Sequence, residues 1–209
     1  MEHLLVKPPD GRALLVLAHG AGAGMRHAFL ERMAQALADR RIATFRYEFA
    51  YMEKHAGRPD PPAVAAARVR EAVGEAARVA PGLPLLAGGK SFGGRMTSTA
   101  AAEAPLPGVR GLVFLGFPLH PPGQPGTSRA DHLDRVTVPM LFLQGTRDQF
   151  AQLPLLEPVI ARLQPRAMLH LIDSGDHSFK VPKSSGRTAE DVMNGLADTI
   201  AEWVGTTVA

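Results

Sequence analysis

The apolar run Leu83 to Ala87 leads directly into Gly88-Gly89-Lys90-Ser91-Phe92-Gly93-Gly94, and a helical stretch of small residues follows to about Glu103, halted by Pro105. Four glycines around one serine, between a strand and a helix, restrict the fold more than any other segment. A chain that reverses this sharply needs neighbours without Cβ atoms, so that strand and helix can approach closely. The pattern therefore predicts a buried strand in a layered sheet, with Ser91 on the turn at its C-terminal end.

The rest of the chain repeats that alternation. Leu14 to Ala18, Thr44 to Phe49, Gly111 to Phe117, Met140 to Gln144 and Ala167 to Ile172 are short apolar runs bounded by turn residues, which reads as strands. Between them, apolar residues recur at helical spacing over Phe29–Leu37, Ala65–Ala80 and Leu155–Leu163, and Val192–Ile200 closes the chain. Pro61-Pro62 opens the second of these helices and Pro81-Gly82 stops it. Thr188 with Asp191 three residues on predicts a capping-box start for the last one. Strands apolar on both faces and separated by helices imply an α/β fold, with a mostly parallel sheet covered on both sides. His3–Val6 is an additional strand, and Pro9-Asp10-Gly11 is expected to turn it back against the strand that follows. His120 to Asp131, rich in proline and glycine, reads as a loop. At 209 residues the expectation is one domain over the whole chain.

Composition narrows the chemistry. There are no cysteines, which excludes a thiol nucleophile, a disulfide framework and cysteine-ligated metal. Lys plus Arg number 23 against 20 Asp plus Glu, and the basic residues are dispersed, so no nucleic-acid footprint is expected. No apolar run approaches the ~20 residues of a membrane span. The first residues lack a basic start and a long apolar core, so a cytoplasmic protein is expected. No histidine–carboxylate spacing suggests a metal, and no cofactor is required.

Gly89-Lys90-Ser91-Phe92-Gly93 fits G-x-S-x-G in the strand–turn–helix context of a nucleophile elbow. A serine hydroxyl needs a base oriented by a third group, and such elbows are followed along the chain by Asp or Glu and then His. Asp148, in Gly145-Thr146-Arg147-Asp148, follows one strand; His177, in Gly175-Asp176-His177-Ser178-Phe179, follows the last. The spacings, 148 − 91 = 57 and 177 − 148 = 29, leave room for intervening elements, and loops after parallel strands share one edge of the sheet. Asp173 and Asp176 lie too close to His177 for the usual arrangement and read as loop acceptors. The amides of Phe92 and of Ala21, in His19-Gly20-Ala21-Gly22, are the expected oxyanion donors. His19 reads as structural. His120 is a candidate for the pocket wall. Lys90 and Arg95 flank the elbow, as solvated charges or as attractors of an anionic substrate. His3, His27, His55, His132 and His170 read as surface or packing residues.

Two other motifs fail. A phosphate loop ending in Gly89-Lys90-Ser91 needs glycine where Pro84 stands, and a dinucleotide fingerprint from Gly20 and Gly22 needs glycine where Met25 stands.

With H-G-x-G, G-x-S-x-G, G-x-x-D and G-D-H-S-F in order, the chain resembles the α/β-hydrolase superfamily over essentially its whole length. Within that superfamily it is similar to the small branch without a cap domain, related to dienelactone hydrolases and other hydrolase-like proteins. It differs from dienelactone hydrolase in carrying Ser91 where that enzyme has cysteine, and from dehalogenases, which have aspartate there. The resemblance implies a serine hydrolase acting on a small-molecule ester or thioester. The alternatives are a hydrolase-like interaction scaffold and a small peptidase. The stretch from Phe117 to Val138 holds only a Pro/Gly-rich loop and at most a short helix, which leaves no room for a lid, so a shallow, open site is expected. The sequence leaves the oligomeric state open.

Overall fold

The computed structural model describes residues 1–207. Among these, seven strands form one sheet: β1 (His3–Val6), β2 (Ala13–Ala18), β3 (Ile42–Tyr47), β4 (Leu85–Lys90), β5 (Val109–Leu115), β6 (Met140–Gly145) and β7 (Ala167–Ile172). Their order is β1-β3-β2-β4-β5-β6-β7. All neighbouring pairs are parallel except β1 with β3. The helices are α1 (Ala28–Ala38), α2 (Ala50–Glu53), α3 (Pro62–Val79), α4 (Phe92–Glu103), α5 (Leu153–Arg162) and α6 (Ala189–Thr207).

Alternation along the strands sorts the core into two layers. Leu14, Val16 and Ala18 face one way, onto α3, α4 and α5; Ala13, Leu15 and Leu17 face the other, onto α1 and α6. All six residues of β2 are buried, as expected for a strand covered on both faces. Helix starts follow the local chemistry. Pro62 sits in the first turn of α3, and the His27 ring accepts the Phe29 N–H at 3.2 Å to cap α1. At α6 the Thr188 hydroxyl accepts the Asp191 N–H at 3.0 Å, and Asp191 accepts the Thr188 N–H at 2.7 Å, the reciprocal box expected from the sequence.

Three expectations are corrected. β1 does not fold back on β2; it pairs with β3, His3 opposite Tyr47 and Val6 opposite Thr44. Both edges of β2 are taken by the parallel partners β3 and β4, which leaves the outer edge of β3 for β1. β4 starts two residues later than its apolar run and continues through Gly88, Gly89 and Lys90. Glycine is a poor strand former, but here the sheet needs its small size. The expected His120–Asp131 loop ends earlier: the short helix allowed for between Phe117 and Val138 is a 3₁₀ helix, Ser128–Arg135, that buries Ala130 and Leu133. No separate cap domain covers the sheet edge among the described residues.

The chain leaves β2 toward β3 on one side and returns to β4 on the other. The crevice at such a reversal, at the carboxyl ends of the strands, is where open parallel sheets bind ligands. The His19–Gly24 loop and Ser91 meet there.

Candidate active site

Ser91, between β4 and α4, has φ 50° and ψ −113°. A positive φ is strained for a residue with a Cβ, and the surroundings hold it. The Ser91 N–H donates to the Leu115 carbonyl at 3.1 Å. A Cβ on Gly89 would lie 2.5 Å from the Ala18 carbonyl oxygen, and one on Gly93 would lie 2.6 Å from that of His19. The glycines flanking the serine are therefore fixed by close approach to β2.

His177, in the loop after β7, places Nε2 2.9 Å from Ser91 Oγ. Its Nδ1 is 2.7 Å from Asp148 Oδ2. A carboxylate only accepts, so the proton belongs on Nδ1 and the Nε2 lone pair faces the serine. The sequence-derived residues Ser91, Asp148 and His177 thus come together from three loops at one sheet edge. Asp148 is buried. Its Oδ1 accepts the Phe150 N–H at 2.8 Å, and Oδ2 also accepts from Gln144 Nε2. Gln144 in turn accepts the Phe117 N–H at 2.9 Å.

Gln144 escaped the sequence reading. The signal was its place as the one polar side chain at the end of the apolar run Met140 to Gln144, where burial obliges it to find partners. Phe150 was also missed; its ring centroid lies 4.5 Å from that of His177.

Lys90 has a more definite place than a solvated flank. Its Nζ donates to the His177 carbonyl at 2.6 Å and stands 5.4 Å from the centre of the Phe179 ring. Burial pulls its pKa down to about 8, against the opposing pull of Asp148 and Asp176. Asp176 accepts the N–H groups of Ser178 and Lys180 at 2.8 and 2.9 Å, and so shapes the histidine turn.

The loop after β2 is fixed from beneath. The fully buried His19 accepts the Phe49 N–H on Nε2 at 3.1 Å, and its Nδ1 lies 2.8 Å from the Gly20 carbonyl. These partners require a neutral ring protonated on Nδ1. Burial lowers the His19 pKa, in keeping with neutrality although Glu48 lies 3.1 Å away. Tyr51 accepts the Gly22 N–H at 2.9 Å. The N–H groups of Ala21 and Phe92 have no protein acceptor among the described residues, and both residues line the cavity over Ser91.

That cavity measures about 990 Å³. Among the described residues no lid covers the site, but it is not shallow: it continues from Ser91 along α1 and α6, past Phe29, Leu30, Val192, Met193 and Leu196. Such a volume suits a drug-sized ligand. His120 does not line it. It is buried, its Nδ1 lies 2.9 Å from the Pro121 carbonyl, and it borders a separate cavity of about 260 Å³. His132, which showed no partner in the sequence, has Nε2 2.7 Å from Ser98 Oγ. Burial, with Arg95 and Arg135 nearby, lowers its pKa to about 4.

A family model described as "Alpha/beta hydrolase domain" matches residues 11–205. The chain belongs to the α/β-hydrolase family. Solved structures agree in fold. The dienelactone hydrolase of Anabaena variabilis superposes with a TM-score of 0.74 at 22% identity, over 98% of this chain and 91% of that one. XC6422 from Xanthomonas campestris, described as an α/β serine hydrolase without a lid, gives 0.72 at 20% identity over 96% and 88%. Est1E from Butyrivibrio proteoclasticus, solved with ferulic acid, gives 0.74 at 14% identity over 98% and 95%. This α/β hydrolase is similar to the branch without a cap domain. No helix among its described residues is long and apolar enough to cross a membrane.

Proposed function

We propose that the protein is a serine hydrolase that cleaves a carboxylic ester or thioester of a small molecule through an acyl-enzyme. The observation that carries this reading is the continuous relay Ser91 Oγ–His177 Nε2 at 2.9 Å and His177 Nδ1–Asp148 Oδ2 at 2.7 Å. His177 takes the Ser91 proton as Oγ attacks the carbonyl carbon. Asp148 holds the imidazole tautomer and stabilises the imidazolium. The amides of Ala21 and Phe92 bind the developing oxyanion. Phe92 opens α4, so its amide also lies at the positive end of a helix. His177 returns the proton to the departing alkoxide or thiolate. Water, deprotonated by His177, then attacks the acyl carbon, and the carboxylic acid leaves as Ser91 regains its proton. The chain needs no cofactor for this sequence.

Turnover of para-nitrophenyl acetate tests the reading. Ser91→Ala and His177→Ala are expected to lose nearly all of it, and Asp148→Asn about 10⁴ in kcat. Hydrolysis by Ser91→Ala at the rate of the parent would overturn the mechanism.

A further inference from the structure

The cavity over Ser91 has an electrostatic bias that the chain as a whole does not share. Overall the basic and acidic residues number 23 and 20. Among the lining residues, Arg32, Lys90, Arg95, Arg129, Lys180 and Arg187 face a single carboxylate, Asp60. Two of these cations stand apart. Arg95 lies one helical turn beyond Ser91, its N–H donating to the Ser91 carbonyl at 3.1 Å, so the two residues share a face of the structure. Its guanidinium rests 5.8 Å from the centre of the Phe92 ring. Arg95 Nε is buried and makes no hydrogen bond to any described residue. Arg129, on the 3₁₀ helix Ser128–Arg135, lines the same cavity. Among the described residues neither arginine has a carboxylate within ion-pair distance.

A rim arginine in water would be solvated and would need no partner. This pair is different. Burial lowers the pKa of both, and for Arg95 the nearby positive charge of Arg129 adds to the shift. Two partly buried guanidinium groups that repel each other, one with an unsatisfied Nε, cost stability unless an anion joins them. Guanidinium donors match the planar oxygens of carboxylate and phosphate.

We propose that Arg95 and Arg129 form an anion-binding subsite beside Ser91, so that the ester cleaved there carries a carboxylate or phosphate group. The inference rests on the ester-hydrolase reading and deepens it: the anionic group docks on the arginine pair, and the scissile carbonyl lies over Ser91.

Matched pairs test this. Amide isosteres are titrated calorimetrically into Ser91→Ala: the mono-anilide of glutaric acid against pentananilide, and para-acetamidobenzoate against acetanilide. These place the charge on the acyl side or on the leaving-group side. Phenyl phosphate and benzoate, titrated into the same protein, separate phosphate from carboxylate. The corresponding phenyl and acetoxybenzoate esters are assayed with the intact enzyme. At least one anionic amide is expected to bind about tenfold more tightly than its neutral partner, and its ester to show the same preference in kcat/KM. That ratio is expected to fall about tenfold in Arg95→Gln and in Arg129→Gln, to recover in part in Arg95→Lys, and to shrink as salt rises from about 0.05 to about 0.5 M. The salt series needs no variant and stands even where a substitution fails to fold. Equal binding of charged and neutral partners in the parent site, or a preference that survives in the doubly substituted protein, would overturn the subsite. Anion-selective binding without turnover of any ester would leave the subsite standing and remove the hydrolase reading. Ser91-dependent turnover without anion preference would do the reverse.

Discussion

Lys90 shows how a residue inside a motif can serve its neighbours. It occupies the variable position before Ser91, yet its ammonium bonds the His177 carbonyl from beneath and faces the Phe179 ring. The sequence could show its adjacency to the serine but not this reach across 87 positions. Its pKa drops from 10.5 to about 8 because burial penalises the charge. Between those values the unfolded chain binds the proton and the folded one does not, so this group makes stability rise with pH across that window. Below about 8 both states hold the proton and the folded state carries the whole penalty. The melting temperature of Lys90→Met minus that of the parent should therefore be most positive near pH ~7. It should fall steadily toward pH 10.5, as read by thermal melts at matched ionic strength. A difference independent of pH would contradict a desolvated ammonium at this position. Ser91, Asp148 and His177 were legible because their chemistry demands particular residue types in a particular chain order. Gln144 was not, because its role is to satisfy the Asp148 carboxylate and the Phe117 amide, which depends on tertiary placement.

At the scale of elements, the apolar runs pointed to the seven strands of the sheet, and helical spacing, or for α4 a run of small residues, pointed to each α-helix except the short α2. Boundaries and partners were harder to read. β4 extends through Gly88 and Gly89 although glycine disfavours strands, because β2 and β5 approach too closely for any side chain. The pairing of β1 with β3 could not be read from Pro9-Asp10-Gly11, since a local turn signal does not reveal that both edges of β2 are already paired. A short helix between Phe117 and Val138 was legible, but not its start at Ser128, inside the stretch whose prolines and glycines read as a loop. The elbow shows the same dependence on packing. A methyl group on Gly93 would stand 2.6 Å from the His19 carbonyl and 2.7 Å from the Ala18 side chain. That neighbour set is mostly backbone, which cannot swing aside. Gly93→Ala should cost about 1–3 kcal/mol in chemical denaturation and displace the serine, whereas Gly195→Ala, with nothing within 4 Å of its Cβ on α6, should be neutral or stabilising. Equal effects of the two would contradict the close approach.

Across the whole molecule, sheet order decides what the site can take. The reversal between β2 and β4 opens the crevice, and α1 and α6, packed on one face, give it an apolar continuation. The sequence suggested a shallow site because it showed no lid. Depth here comes instead from the gap between two helices distant in sequence. An acyl chain entering that groove gains at most about 0.8 kcal/mol per methylene. Catalytic efficiency toward para-nitrophenyl esters should therefore climb from acetate to hexanoate, by up to about fourfold per carbon. A flat or falling series would show that the groove is not used. The central claim, that this architecture activates Ser91 as a nucleophile, is tested most directly by intact-mass and peptide analysis after exposure to a fluorophosphonate. The parent protein should gain a single phosphonyl adduct on the peptide containing Ser91, with labelling slowed by roughly a hundredfold or more in His177→Ala and absent in Ser91→Ala. A parent protein that remains unlabelled, or an adduct that persists in Ser91→Ala, would contradict the account.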